Sequence, residues 1–301
     1  MYNSLIQSPL TKGKEKEKRI MKKMIVIALV LVLALSALAG CSSADSGKNV
    51  LTVATSPDFA PMAFVSTDAN ATGNDKFVGF DMMLAAYLAE EMDMDLEIKA
   101  MSFDACQTAV GLGSVDMAIS GFSWKEDRAE NYNLSDYYWA GDNEDEQILI
   151  TLAGNEGKYD SIEKLAGVKV GVQTASLQQS LAEEQLTESE IVVVTDLTTA
   201  LMQMRNGDFD VMAVAGGNAD ATMVNNTDII KTGFNFEVDP KYTGNVILMT
   251  KGDDELTKTV NELLAKAEAA GKYDEWYAIA QETAGIQVVY DDEGNAVETL
   301  P

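Results

Sequence analysis

Two successive runs of alternating strand-like and helix-like segments limit what this chain can fold into. VLTVAT (50–55) is an apolar, β-branched run stopped by the turn-prone Ser56-Pro57-Asp58. GFDMMLAAYLAEEMDM then reads as a helix, with Asp81 as its N-cap and Met82, Leu84, Ala85, Leu88 and Ala89 on one face. LEIKAM reads as a strand, FDACQTAVGLGS as a helix ended by glycines, and VDMAIS as a strand. The pattern restarts with QILIT as a strand, YDSIEKLAG as a short helix, VKVGV as a strand and SLQQSLAEEQL as a helix. IVVVT, TTALMQMRNG and FDVMAV continue it as strand, helix and strand. NVILMT is a further strand, followed by two amphipathic helices around Gly271. Such alternation predicts an α/β protein whose sheets are parallel and covered by helices.

QILIT and NVILMT bound the second unit, which implies that one lobe is inserted into the other through two crossings. The expected division is 50–146 with 246–290 for the first lobe, 147–245 for the second, and a loose polar tail at 291–301. Two lobes joined this way make a hinge and a cleft, and ligands of α/β sheets sit outside the carboxyl ends of the strands.

The N-terminus carries an address. Lys22 and Lys23 form a positive region, Met24 to Ala37 an apolar one too short to span a membrane, and Leu38-Ala39-Gly40 a small-residue cleavage site. Cys41 follows directly, and the arrangement resembles the lipobox of bacterial lipoproteins. That resemblance implies removal of residues 1–40, with an upstream extension in the first twenty, and lipidation of Cys41. Residues 41–49 would be a polar tether to the extracytoplasmic face of the membrane. Only Cys106 then remains, expected to be a small buried residue, so no intramolecular disulfide can form.

Composition excludes several functions. The chain has no histidine, which removes Ser-His and Cys-His nucleophiles and histidine metal clusters. Its net charge of −26 argues against nucleic-acid binding, which needs a basic footprint. The acidic run GDNEDE (141–146) lacks the spacing of a calcium loop and reads as solvated, so no metal site is expected. No cofactor is implied.

ISGFSWKEDRAENYNLSDYYW (119–139) sets Arg128 just after Ser120 and Ser123. Taken alone, an arginine there reads as solvated. The order of several motifs changes that. SPDFAPMAF, VGFDMML, SFDACQTAVGLGSVDMAISGFSWKEDR, GVQTASLQQ and LTKTVNELLAKAEAAGKYDEWY together resemble the amino-acid-binding family of ABC-transporter solute-binding proteins. The resemblance runs from Val50 to about Ala280 and implies the periplasmic-binding-protein fold, two α/β lobes around a ligand cleft. It places Arg128 on the ligand's α-carboxylate, with the Ser123 hydroxyl helping. Backbone groups of Ser120 and Gly121 fall beside the ammonium, and Phe59 and Phe103 line the cleft. Ser176, at a helix N-terminus of the second lobe, would close over the carboxylate. A guanidinium offers a planar fork to a carboxylate, and hydroxyls and helix-end amides add donors without charge.

Two departures bear on the ligand. Ala215 stands where the family has an acid for the α-ammonium, and Ser56 where relatives for cationic amino acids carry Asp. An unpaired buried ammonium is costly, so lysine, arginine and histidine are not expected as ligands. Asp58 or Asp220 would serve the ammonium from a shifted position, or the ligand lacks one. Gly216 and Gly217 read as a simple loop and Lys125 as a solvated lysine. Tyr137, Tyr138 and Trp139 read as hinge or core packing.

The implied protein is a monomeric, lipid-anchored receptor that passes a small amino acid or related carboxylate to an ABC permease. A sensor on the same fold, or an enzyme such as a dehydratase or lyase, are the other readings. The sequence offers no positioned acid or base for the enzyme.

Overall fold

The computed structural model describes residues 49–140, 146–290 and 296–300. The chain enters a five-stranded sheet with β1 (Val50–Thr55), then makes a small antiparallel ribbon of β2 (Asp58–Phe59), β3 (Ala63–Val65) and β4 (Phe77–Val78). Helix α1 (Phe80–Glu91) leads to β5 (Asp95–Ala100), and α2 (Phe103–Gly111) to β6 (Met117–Ser123). Both of these strands lie parallel to β1, as the alternation predicts. A short helix α3 (Glu126–Asn131) and β7 (Tyr132–Leu134) follow.

The second sheet holds β8 (Gln147–Leu152), β9 (Lys169–Gln173), β10 (Glu190–Val194), β11 (Val211–Ala215) and β12 (Ile229–Asn235), in the order β10-β9-β11-β8-β12. Helices α4 (Leu177–Gln185) and α5 (Leu197–Asn206) make the parallel crossovers, and α6 (Gly216–Asn225) links β11 to β12. The chain then returns to the first sheet as β13 (Asn245–Thr250), completing the order β5-β1-β6-β13-β7. Helices α7 (Asp254–Ala269) and α8 (Lys272–Ala284) close the fold.

Several local expectations need correction. The two strands entered from the other sheet, β8 and β13, run antiparallel to their neighbours, because no crossover helix turns the chain round before them. YDSIEKLAG shrinks to a single 3₁₀ turn at Ile162–Leu165. Gly216 and Gly217 open a helix and are not a loop. Asp81 does not cap α1. Gly79 precedes that helix, and Asp81 lies within its first turn, drawn into the core by two donors described below. Within the tail expected to be loose, β15 (Ala296–Leu300) pairs antiparallel with β14 (Gln287–Tyr290).

The sheets keep separate cores. In the first, Phe80 is fully buried among Tyr138, Trp139, Tyr273, Trp276 and Tyr277, with ring centroids 5.1 to 6.3 Å away. These contacts bind α8 to α1 and to the segment before the first crossing. In the second, Val170, Val172, Val211 and Ala213 pack against Leu177, Leu181 and Ala182 of α4. Phe59 packs on both sides, touching the core of the first sheet and that around α5. The two crossings also clasp each other. The Tyr137 hydroxyl donates to the Lys241 carbonyl at 2.9 Å, and a Cβ at Gly244 would come within 2.3 Å of the Tyr137 ring.

Candidate functional site

The carboxyl ends of β1 and β6 face those of β9 and β11, where open α/β sheets hold their ligands. Strand β6 carries the first residues. Gly121 has φ +57, a left-handed conformation that favours glycine, and a Cβ there would lie 2.6 Å from the Phe59 ring. Its N–H donates to Asp81 Oδ2 at 2.8 Å, while the Tyr138 hydroxyl donates to Asp81 Oδ1 at 2.9 Å. Burial pushes the Asp81 carboxyl up to about 7, against the opposing pull of those two donors. Asp81 therefore ties the cleft strand to the residue just before the first crossing. It does not face a ligand.

Ser120 is also committed inside the first lobe: its hydroxyl accepts from the Ser56 N–H at 3.0 Å and donates to the Ser56 carbonyl at 3.3 Å. The Ser120 hydroxyl and the Gly121 N–H are thus both held inside the first lobe.

Arg128 is the third residue of α3 and only 1% exposed. Its guanidinium lies over the rings of Phe103 and Phe122, with Cζ 5.5 and 5.3 Å from their centroids; the two rings stack at 4.5 Å. Nε donates to Gln107 Oε1 at 3.3 Å, one terminal nitrogen to the Ser123 carbonyl, and the other to the Ala175 carbonyl of the second lobe at 2.8 Å. Ala175 sits at φ +60, held by its N–H on Gln179 Oε1 at 2.7 Å. Ser176 is the N-cap of α4, its oxygen accepting from the Gln179 N–H at 3.0 Å. Arg128, Ser123, Phe103 and Ser176 thus come together at one end of the cleft. Beside them Lys125 differs from the expected solvated residue. Its side chain is 13% exposed, and burial and the Arg128 charge push its pKa down.

The other end is assembled from more segments. Asp58 Oδ1 accepts from the Ser56 hydroxyl at 2.7 Å, and Oδ2 accepts from Gln173 Nε2 at 3.0 Å and from the Leu197 N–H at 2.8 Å. It is a carboxylate of the first lobe bonded to the first N–H of α5 of the second, whose N-cap is Asp196. Burial holds its pKa above the usual range, opposed chiefly by the Leu197 N–H. Ala215 is fully buried and is the N-cap of α6. Asp220 is turned away to an ion pair with Lys231 at 2.7 Å. Asn218, in the first turn of α6, donates from Nδ2 to the Ala60 carbonyl at 3.0 Å, again across the lobes.

Sequence reasoning passed over Gln107, Gln173 and Asn218. Gln107 had a usable signal, since it falls four residues after Phe103 on one helical face. Gln173 ends a strand at the edge where ligands bind. Nothing in the sequence marks Asn218. Cys106 is fully buried, and burial pushes its thiol up, out of the reactive range. Cys41 and residues 141–145 of the acidic run lie outside the described residues.

Comparison with known proteins agrees with this geometry. The model of the bacterial extracellular solute-binding proteins, family 3, matches residues 51–279. The arginine-binding extracellular protein of Bacillus subtilis is 26% identical over 263 residues, covering 84% of this chain and 96% of that one. The glutamine-binding protein of an ABC transporter from the same species is 26% identical over 277 residues, covering 85% and 96%. Among solved structures, an amino-acid ABC-transporter substrate-binding protein of Streptococcus pneumoniae with bound L-arginine superposes with a TM-score of 0.72. It is 28% identical and covers 78% of this chain and 96% of its own. A match over this span, on two α/β sheets whose strand ends meet around Arg128, shows that the chain belongs to the bacterial extracellular solute-binding proteins, family 3.

Proposed function

We propose that the protein captures one small amino acid or related carboxylate between its two lobes and delivers it to an ABC permease. In this reading Cys41 carries the lipid that holds a monomer on the extracytoplasmic face of the membrane, and residues 41–49 are the tether. The lobes are 50–146 with 246–290, and 147–245. The observation that carries the reading is Arg128, a permanently charged group 1% exposed that reaches the backbone of both lobes. The ligand's α-carboxylate takes the place of the carbonyls on that fork and adds the Ser123 hydroxyl and the Ser176 helix end as donors.

The named relatives include arginine- and glutamine-binding proteins. Of these, the cleft fits the uncharged ligand better. Ser56 and Ala215 supply no carboxylate, and Asp220 is occupied by Lys231. Lys125 adds a second cation near Arg128. Among the described residues, the two acids considered for a cationic group, Asp58 and Asp220, are both already bonded.

The test uses the whole chain, purified in mild detergent and refolded to strip bound ligand, against the protein amino acids, dicarboxylates and 2-keto acids. A ligand at 100 times its Kd adds about 2.7 kcal/mol, a rise of several degrees in thermal midpoint. Arg128→Ala should abolish the rise. If no compound raises the midpoint, the sensor reading replaces capture for transport, and the substitution at Ala215 is what favours it.

A further inference from the structure

We infer that the carboxamide oxygen of Asn218 receives the ligand's α-ammonium, replacing the carboxylate that Ala215 lacks. The inference rests on the capture reading above and names the acceptor in that same cleft. Asn218 is 2% exposed, and its Oδ1 is buried without a hydrogen-bond partner among the described residues. A buried carbonyl oxygen left alone is costly, which points to a donor that belongs there. The orientation of the amide is set by its other head, since Nδ2 donates to the Ala60 carbonyl beside Phe59. That contact brings the carboxamide across to the cleft residues of the first lobe.

The alternatives are occupied. Asp58 accepts from Ser56, Gln173 and Leu197. Asp81 accepts from Gly121 and Tyr138, and Asp220 pairs with Lys231. The first turn of α6 itself has no acidic residue and no side-chain cap. Asn245 also has an unpartnered carboxamide, but it begins β13 on the face shared with Ile247 and Met249, which point into the core of the first lobe. A neutral acceptor matches a zwitterion whose carboxylate is already answered by Arg128. It gives no counter-charge for a second cation.

The test compares one amino acid with its α-deaminated analogue, in which hydrogen replaces the ammonium. The refolded full-length chain is first titrated calorimetrically with each of the twenty protein amino acids, and the tightest binder supplies the pair. Asn218→Ala should weaken the amino acid about 10- to 100-fold more than the analogue, the cost of a hydrogen bond to a charged group, while the loss of the Ala60 contact is shared by both ligands. Adding Ala215→Asp to that variant should restore the amino acid alone. Equal losses for both ligands would overturn the inference and leave Asn218 as a brace on Ala60; so would no loss, or a tightest binder with a cationic side chain. If alanine prevents folding, Asn218→Ser is read in the same way. Failure of the underlying reading looks different: no amino acid binds the wild type, or Arg128→Ala leaves binding intact.

Discussion

At the Arg128 end of the cleft Phe103, Gln107, Phe122 and the Ser123 carbonyl hold the guanidinium from within one lobe, and the second lobe adds the turn at Ala175 and Ser176. The opposite end gathers Ser56, Asp58, Gln173, Leu197 and Asn218 from separate segments of both lobes. The first end is built almost within one lobe, whereas the second draws its groups from both. On the proposed reading a carboxylate docks first on Arg128, and recognition of the rest of the ligand is coupled to closure. The largest effects of substitution should follow from damage to the prepared end.

Arg128→Lys tests that end most directly. A lysine keeps the charge but loses the planar fork and its stacking on Phe103 and Phe122. Calorimetry should show a loss of about 100-fold or more, roughly 3 kcal/mol. Binding retained within a few-fold would mean that charge alone, shared with Lys125, defines the prepared end, and the contrast between the two ends would dissolve.

Asp81 supports the same end from behind. Its carboxyl titrates at about 7 in the fold against 3.8 ordinarily, so the folded state holds the proton more tightly than the unfolded one. Its contribution to stability is complete below about pH 4 and is lost as the pH rises through about 7, by up to ~4 kcal/mol. Asp81→Asn imitates the protonated acid, with Oδ1 on the Gly121 N–H and Nδ2 toward the Tyr138 oxygen. Urea denaturation at pH 5 and pH 8 should show the wild type weakening over that window more than the variant. Equal slopes would show that Asp81 is ionised throughout.

Gly121→Ala attacks the seam between the ends. The new Cβ meets the Phe59 ring, and the residue must hold φ +57, so a loss of about 2 kcal/mol in urea unfolding is expected, with weaker binding. Phe59→Leu added to Gly121→Ala should recover part of it, because the clash is with a ring and not with backbone.

What was legible in the sequence follows the same division. The prepared end could be read because its residues lie close in the chain: Ser120, Gly121, Ser123 and Arg128 fall on one strand end and the short helix after it. Periodicity found nearly every strand of both sheets, since apolar β-branched runs bounded by turns are a local signal. The antiparallel entry of β8 and β13 was invisible, because strand direction depends on where the chain has come from. Asp81 was misread as a cap because a buried acid at a helix start has the same local pattern as a capping one. Its partners are 40 and 57 residues away. Asn218 carried no signal, since an unpartnered oxygen is a property of the assembled interior.

Asp58→Ala should give the smallest effect and the most specific one. Removing the carboxylate frees Gln173 Nε2 and the Leu197 N–H, two donors by which the second lobe grips the first. Those donors can turn to water in the open form, so the cost falls on closure and not on folding. Ligand affinity should drop by about tenfold, roughly 1.4 kcal/mol, with the urea midpoint little changed. The loss should be equal for an amino acid and its deaminated analogue, since the bonds of Asp58 are all to protein groups, whereas the carboxamide oxygen of Asn218 is the atom proposed for the ammonium. If Asp58→Ala instead discriminates between the two ligands, the ammonium rests on this carboxylate, and the neutral acceptor at Asn218 gives way to a charged one.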